Sequence, residues 1–155
     1  MALSAAATQS NSINSIRMEA VVCDMPDYRI LRGLRVVVVE DEGITQLQIR
    51  KMLQAVGADV VGSASNGRVA VETVLRERPD LVLMDIHMPI MGGLEASEQI
   101  LASLDTCIVF LTAYSDDESM ARASQLGASG YVLKPVTKDT LLPRLAAAYA
   151  HYASR

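Results

Sequence analysis

The sequence predicts an open α/β fold, a parallel sheet covered by helices on both faces, and three observations carry the prediction. From Arg35 onward, short β-branched or apolar runs alternate with segments of helical period. The runs RVVVV and LVLM are apolar throughout rather than alternating, as strands buried on both faces must be. Polar residues gather where these runs end, not inside them.

Taken in order, the units are RVVVV with ITQLQIRKMLQAVG, DVVGS with GRVAVETVLRERP, LVLMD with GLEASEQILASL, CIVFLT with DESMARASQLGA, and GYVLK with TKDTLLPRLAAAYAHY. In the first helix Ile49, Met52, Leu53 and Val56 fall at i, i+3, i+4 and i+7, and Gly57 stops it. Val71, Val74 and Leu75 share a face of the second, which Pro79 ends. Asp116 and Asp117 are placed to cap the fourth, and Gly127 closes it. Leu141, Leu145, Ala148 and Tyr152 mark the inner face of the fifth, where Pro143 removes a backbone donor and should bend its turn. Met88, Met91 and Met120 are expected to pack locally.

Residues 1–33 are rich in Ala, Ser, Asn and Thr with no sustained period, which predicts a flexible N-terminal extension ahead of a single domain at 34–155. The 155 residues are half apolar, with a formal net charge of −4 and 4% aromatics. That balance argues against a phosphate-tracking surface or stacking platform, so no direct nucleic-acid binding is expected. Cys23 and Cys107 form no disulfide framework, and no apolar stretch nears the roughly 18 to 20 residues that span a bilayer. A cytoplasmic protein that makes no membrane contact is the expectation.

In an open parallel sheet, ligands bind outside the carboxyl ends of the strands. Here those ends carry Glu40-Asp41-Glu42, Asp85, Thr112 and Lys134-Pro135. Glu40, Asp41 and Asp85 on adjacent strands would repel one another unless a cation lay between them. A small all-oxygen set suits Mg²⁺ better than a calcium cage. Asp85 can then attack phosphorus in line as a carboxylate nucleophile, with Lys134 adding positive charge and Thr112 a hydroxyl donor. Glu42 is expected to be solvated or to contact the first helix. His87 is expected to offer its carbonyl rather than its imidazole, because no second histidine is placed to complete a transition-metal site. His151 suits a helix end at the surface.

VVVVEDE, LVLMDIHMPIMGG, VFLTAYSDDE and ASGYVLKP, in this order across residues 35–152, resemble the receiver domain of two-component response regulators, in particular single-domain receivers like the chemotaxis regulator. The resemblance implies a flavodoxin-like doubly wound (βα)5 three-layer sandwich with strand order 2-1-3-4-5. It also implies Asp85 as phosphoacceptor, Asp41 as a direct Mg²⁺ ligand, Glu40 acting mainly through water, and the His87 backbone carbonyl completing the metal's protein ligands. Thr112 and Lys134 match the family's switch hydroxyl and lysine. Tyr131 matches an aromatic residue whose ring turns inward when the hydroxyl moves, on a signalling face made by helix four, strand five and helix five. The Lys134-Pro135 peptide is expected to be cis.

Two departures stand out. Glu40 occupies a position where aspartate is more frequent. His87 and Tyr114, each two residues beyond Asp85 and Thr112, match positions that in the resembled family tune loss of the phosphoryl group, and their bulk leads to the expectation of a long-lived one.

The function expected is therefore a phospho-accepting switch, fed by a sensor histidine kinase or a histidine phosphotransfer protein and read by a downstream protein, with a homodimer left open. It would catalyse only its own phosphorylation and dephosphorylation. The TAYSDDE and LLP segments look most like regulators with an RNA-binding helix bundle, but only about one helix's length follows Lys134, so no output domain of its own is expected. The rivals are a pseudo-receiver scaffold and a phosphatase of the haloacid-dehalogenase type. The latter needs a second acid two residues past the nucleophile, where His87 stands. A flavin-binding domain would want a Ser/Thr/Gly-rich loop in place of Glu40-Asp41-Glu42.

Overall fold

Five strands pair in parallel in the order β2-β1-β3-β4-β5, in a computed structural model that describes residues 28–113 and 116–155. They are β1 (Arg35–Val39), β2 (Asp59–Ala64), β3 (Leu81–Asp85), β4 (Cys107–Thr112) and β5 (Gly130–Leu133). The helices between and after them are α1 (Gly43–Ala55), α2 (Gly67–Glu77), α3 (Gly93–Leu101), α4 (Asp117–Gln125) and α5 (Lys138–Ala153). The expected fold class and strand order are the ones observed.

Strand residues divide strictly by face. Val36 and Val38 of β1, with Leu81 and Leu83 of β3, join Ile49 and Leu53 of α1 and Leu141, Leu142 and Leu145 of α5 in one core. Val37 and Val39, with Val82 and Met84, face the other way, onto Val74 of α2, Ile100 of α3 and Ala123 of α4. A strand with a core on each side has no polar face to show, which is why these runs do not alternate.

The helix ends follow local chemistry. The Asn66 side chain accepts from the Val69 backbone N–H to start α2, and Thr137 with Thr140 forms a reciprocal capping box at α5. Gly57 and Gly127, at φ +86° and +92°, turn the chain after α1 and α4. Pro143 lies inside α5, which continues without a break to Ala153.

Core contacts reach ahead of residue 34. Within the described part of the 1–33 extension, Arg29–Leu31 forms a single 3₁₀ turn, and Leu31, 1% exposed, is buried in the core beneath α1 and α5. The Gly33 N–H donates to the Gly57 carbonyl, and Leu34 accepts from Asp59. One buried leucine on a three-residue turn is too short a pattern to register as a period.

After β3 the chain folds back on itself. Gly93 donates to the Ile86 carbonyl at 2.7 Å, and a Cβ on Gly93 would come within 2.0 Å of the Asp85 carbonyl oxygen. Only glycine allows α3 to begin so close under the end of β3. Between them, Met91 donates to the Pro89 carbonyl around Ile90 at φ +70°, a γ-turn in the left-handed region.

Candidate functional site

The carboxyl ends of β1, β3 and β5 bring three charges of mixed sign together. The Lys134 ammonium at the end of β5 lies 2.9 Å from Oδ2 of Asp85, the last residue of β3. It is also 3.2 Å from both carboxylate oxygens of Glu40, which follows β1. Only Glu40 Oε1 is oriented to accept that hydrogen bond, so Oε2 is buried with charge contact to the ammonium but no hydrogen-bond partner. Glu40, Asp41 and Asp85 each offer a carboxylate oxygen within 4.8 Å of the others.

One cation does not balance this cluster. Glu40 is 1% exposed. Its carboxyl is pushed up to about 7, first by burial and then by its hydrogen bond and charge repulsion with Asp85, against the opposing pull of Lys134. Burial also works to lower the Lys134 ammonium, but the hydrogen bonds and charges of Asp85 and Glu40 outweigh it and hold the group above its ordinary value. A buried oxygen lacking a hydrogen bond, among three converging carboxylates, fits a hard divalent cation with oxygen ligands. Asp41, exposed beside the two buried acids, gives the cluster its solvent side.

The remaining expected residues surround this cluster. The His87 backbone N–H donates to Asp85 Oδ1 at 3.3 Å, and its ring Nε2 meets Asp116 Oδ2 at 2.5 Å. Asp116 caps α4 through Ser119, and hydrogen bonds from Ser119 and then His87 hold its carboxyl below the usual carboxylate range. Thr112 is buried at the end of β4, where its hydroxyl donates to the Ala113 carbonyl. The Lys134 N–H donates to the Thr112 carbonyl, so β4 directly supports the lysine's backbone. Lys134-Pro135 is cis, as expected.

Tyr131 is 38% exposed, with the Arg144 guanidinium of α5 5.7 Å from its ring centre. Beside it a hollow of about 350 Å³ opens, lined by Ile86, Phe110, Met120, Ala123 and Ala128 among others. Tyr114 lies outside the described residues. Glu42 stands exposed at the N-cap position of α1, makes no side-chain cap there, and accepts from the Thr45 hydroxyl.

Two contributors escaped the sequence reading. Gln46 Nε2 donates to the Glu40 carbonyl at 3.0 Å and the Ala64 carbonyl at 3.1 Å, tying the ends of β1 and β2 under the acids. Its signal was a polar residue three positions before Ile49, at the head of the apolar stripe of α1. The second is Asp116, which was read only as a cap; nothing in a sequence announces its pairing with a residue 29 positions earlier.

The family model described as the response regulator receiver domain matches residues 36–146. The chain belongs to this family. Over 118 residues the receiver domain is 36% identical to the transcriptional regulatory protein PdtaR of Mycobacterium tuberculosis, covering 76% of this chain and 58% of that protein. It is 37% identical over 115 residues to the transcriptional regulatory protein YdfI of Bacillus subtilis, covering 74% and 54%. The chain thus spans about half the length of the curated relatives it matches. Among solved structures, the signal receiver domain of a modulated diguanylate cyclase from Desulfovibrio desulfuricans G20 superposes with a TM-score of 0.71 at 32% identity, covering 78% of this chain and 97% of that one. The receiver domain of the response regulator NarL from Mycobacterium tuberculosis gives 0.69 at 27%, covering 80% and 99%. No helix among the described residues of this receiver domain is long and apolar enough to cross a membrane.

Proposed function

We propose that this receiver domain is a phospho-accepting signalling switch that takes a phosphoryl group onto Asp85 from a histidine kinase or a histidine phosphotransfer protein. The observation that carries the reading is the Lys134 ammonium 2.9 Å from Asp85 Oδ2, with three carboxylates converging beside it.

In the proposed step a carboxylate oxygen of Asp85 attacks phosphorus, the bond to the donor imidazole breaks, and the imidazole leaves with the bonding pair. Lys134 holds the acceptor carboxylate in place and lies ready to meet the phosphoryl oxygens. The His87 N–H fixes the other oxygen of Asp85. Glu40, Asp41, Asp85 and the His87 carbonyl are the proposed ligands of Mg²⁺, which when bound would neutralise the charge on the transferring group. Thr112 would give up its hydrogen bond to Ala113 and donate to the phosphoryl group, and Tyr131 would turn into the hollow beside it. The helix α4, strand β5 and helix α5 face would then present a changed surface to a downstream protein.

The receiver domain on this reading turns over no separate substrate, and it works in the cytoplasm, where such donors meet it. A regulatory output is supported by relatives that are transcriptional regulatory proteins. The test is incubation with acetyl phosphate and Mg²⁺, followed by intact mass. Wild type should gain one phosphoryl group and Asp85→Asn none; no Mg²⁺-dependent gain in wild type would reject the switch in favour of a fixed scaffold.

A further inference from the structure

We propose that Asp116 is a positioning residue: by holding the His87 imidazole across one side of Asp85, it lengthens the life of the phosphoryl group there. The inference rests on Asp85 being the acceptor.

His87 is anchored at both ends of its length. Its backbone N–H donates to Asp85 Oδ1, and its ring reaches Asp116 Oδ2. The imidazole is 70% exposed and would sample several rotamers if unpaired, whereas the Asp116 side chain is only 19% exposed. Asp116 is itself held, because its other oxygen accepts the Ser119 N–H at the start of α4. One carboxylate therefore starts the helix with one oxygen and fixes the imidazole with the other. Strands β3 and β4 are neighbours, with Asp85 opposite Leu111. The ring thus bridges from the chain leaving β3, two residues past Asp85, to the chain entering α4.

Loss of the phosphoryl group requires a water oxygen to attack phosphorus while the bond from phosphorus to the Asp85 oxygen breaks, releasing inorganic phosphate, the carboxylate and a proton. A ring held beside the acceptor occupies part of the space from which water approaches, and excluding water protects a hydrolysable intermediate. A ring free to swing away would not.

The full chain, phosphorylated with acetyl phosphate and Mg²⁺ and then freed of donor, tests this by loss of phosphoryl mass with time. Asp116→Ser keeps a capping oxygen for α4 but lacks the reach to His87. It should shorten the half-life by about fivefold, the factor an ordinary net hydrogen bond is worth, with an unchanged urea midpoint. His87→Ala should do the same, the double variant should lose no more than either alone, and Asp116→Asn, which can still pair with the ring, should decay close to the wild-type rate. An unchanged or longer half-life in Asp116→Ser, multiplying effects in the double variant, or no rescue by Asp116→Asn would overturn the positioning role alone. Failure of the wild type to gain any phosphoryl mass would overturn the acceptor reading and this inference with it.

Discussion

Lys134 and Asp85 meet at 2.9 Å from strands that are not neighbours, across the end of β4, and the lysine reaches Glu40 beyond at 3.2 Å. The ammonium thus spans the width of the site and is shared between two acids. Sharing leaves each acid incompletely compensated, and the consequences can be measured.

Glu40 makes the metal-free protein sensitive to pH in an unusual sense. Its carboxyl sits near 7 in the folded chain against 4.5 as its ordinary value. The folded state therefore holds the proton more tightly than the unfolded one, and stability is highest below about pH 4.5 for this group and falls as pH rises through 7. The loss should be on the order of 1 to 3 kcal/mol in urea titrations without metal. Added Mg²⁺ should stabilise more at pH 7.5 than at pH 5, and Asp85→Asn should flatten the slope by removing the repulsion that helps raise Glu40.

Gln46→Leu should cost about 1 to 2 kcal/mol, because it leaves the Glu40 carbonyl without its side-chain donor and the Ala64 carbonyl with one donor fewer. Since Glu40 is the residue it steadies, Mg²⁺ affinity should fall as well. Thermal melts with and without metal would separate the two effects: a uniform loss of stability with unchanged metal response would leave Gln46 a purely structural tie.

Gly93→Ala forces a methyl into the Asp85 carbonyl, which is backbone and cannot yield as a side-chain tip would. A loss of about 3 kcal/mol is expected in urea unfolding. On the proposed reading, phosphorylation by acetyl phosphate should also slow beyond what the stability loss explains, because the residue that must shift is Asp85.

Leu31→Ala should destabilise the domain by about 2 to 4 kcal/mol, since the side chain is fully enclosed beneath α1 and α5. A chain starting at residue 34 should show a similar loss. Equal midpoints for the shortened and full chains would place the boundary at residue 34.

The sheet was legible because its signal is local. RVVVV and LVLMD can only be doubly covered strands, and Gly57, Pro79 and Gly127 mark helix ends through their own backbone preferences. The placement of Glu40, Asp41, Asp85, Thr112 and Lys134 at one edge was legible because a parallel sheet delivers all its strand ends there. The side-chain ties were not. Gln46 to Glu40 and Ala64, and His87 to Asp116, depend on rotamers and loop paths that no period encodes. Leu31 failed for the same reason in apolar form: its partners lie on α1 and α5, far along the chain.

The separation of Lys134 from its partners, 49 residues from Asp85 and 94 from Glu40, has an effect on what damage does to the signal. Lys134 directly follows β5, the four-residue strand at the edge of the sheet. A molecule frayed at that edge keeps its acids together but loses the ammonium that unites them, and on the proposed reading it cannot couple a phosphoryl group to its signalling face. Heat, a truncation or a damaged α5 would then produce a silent molecule rather than one locked on, so the same contact that supports the chemistry also checks that the chain is whole.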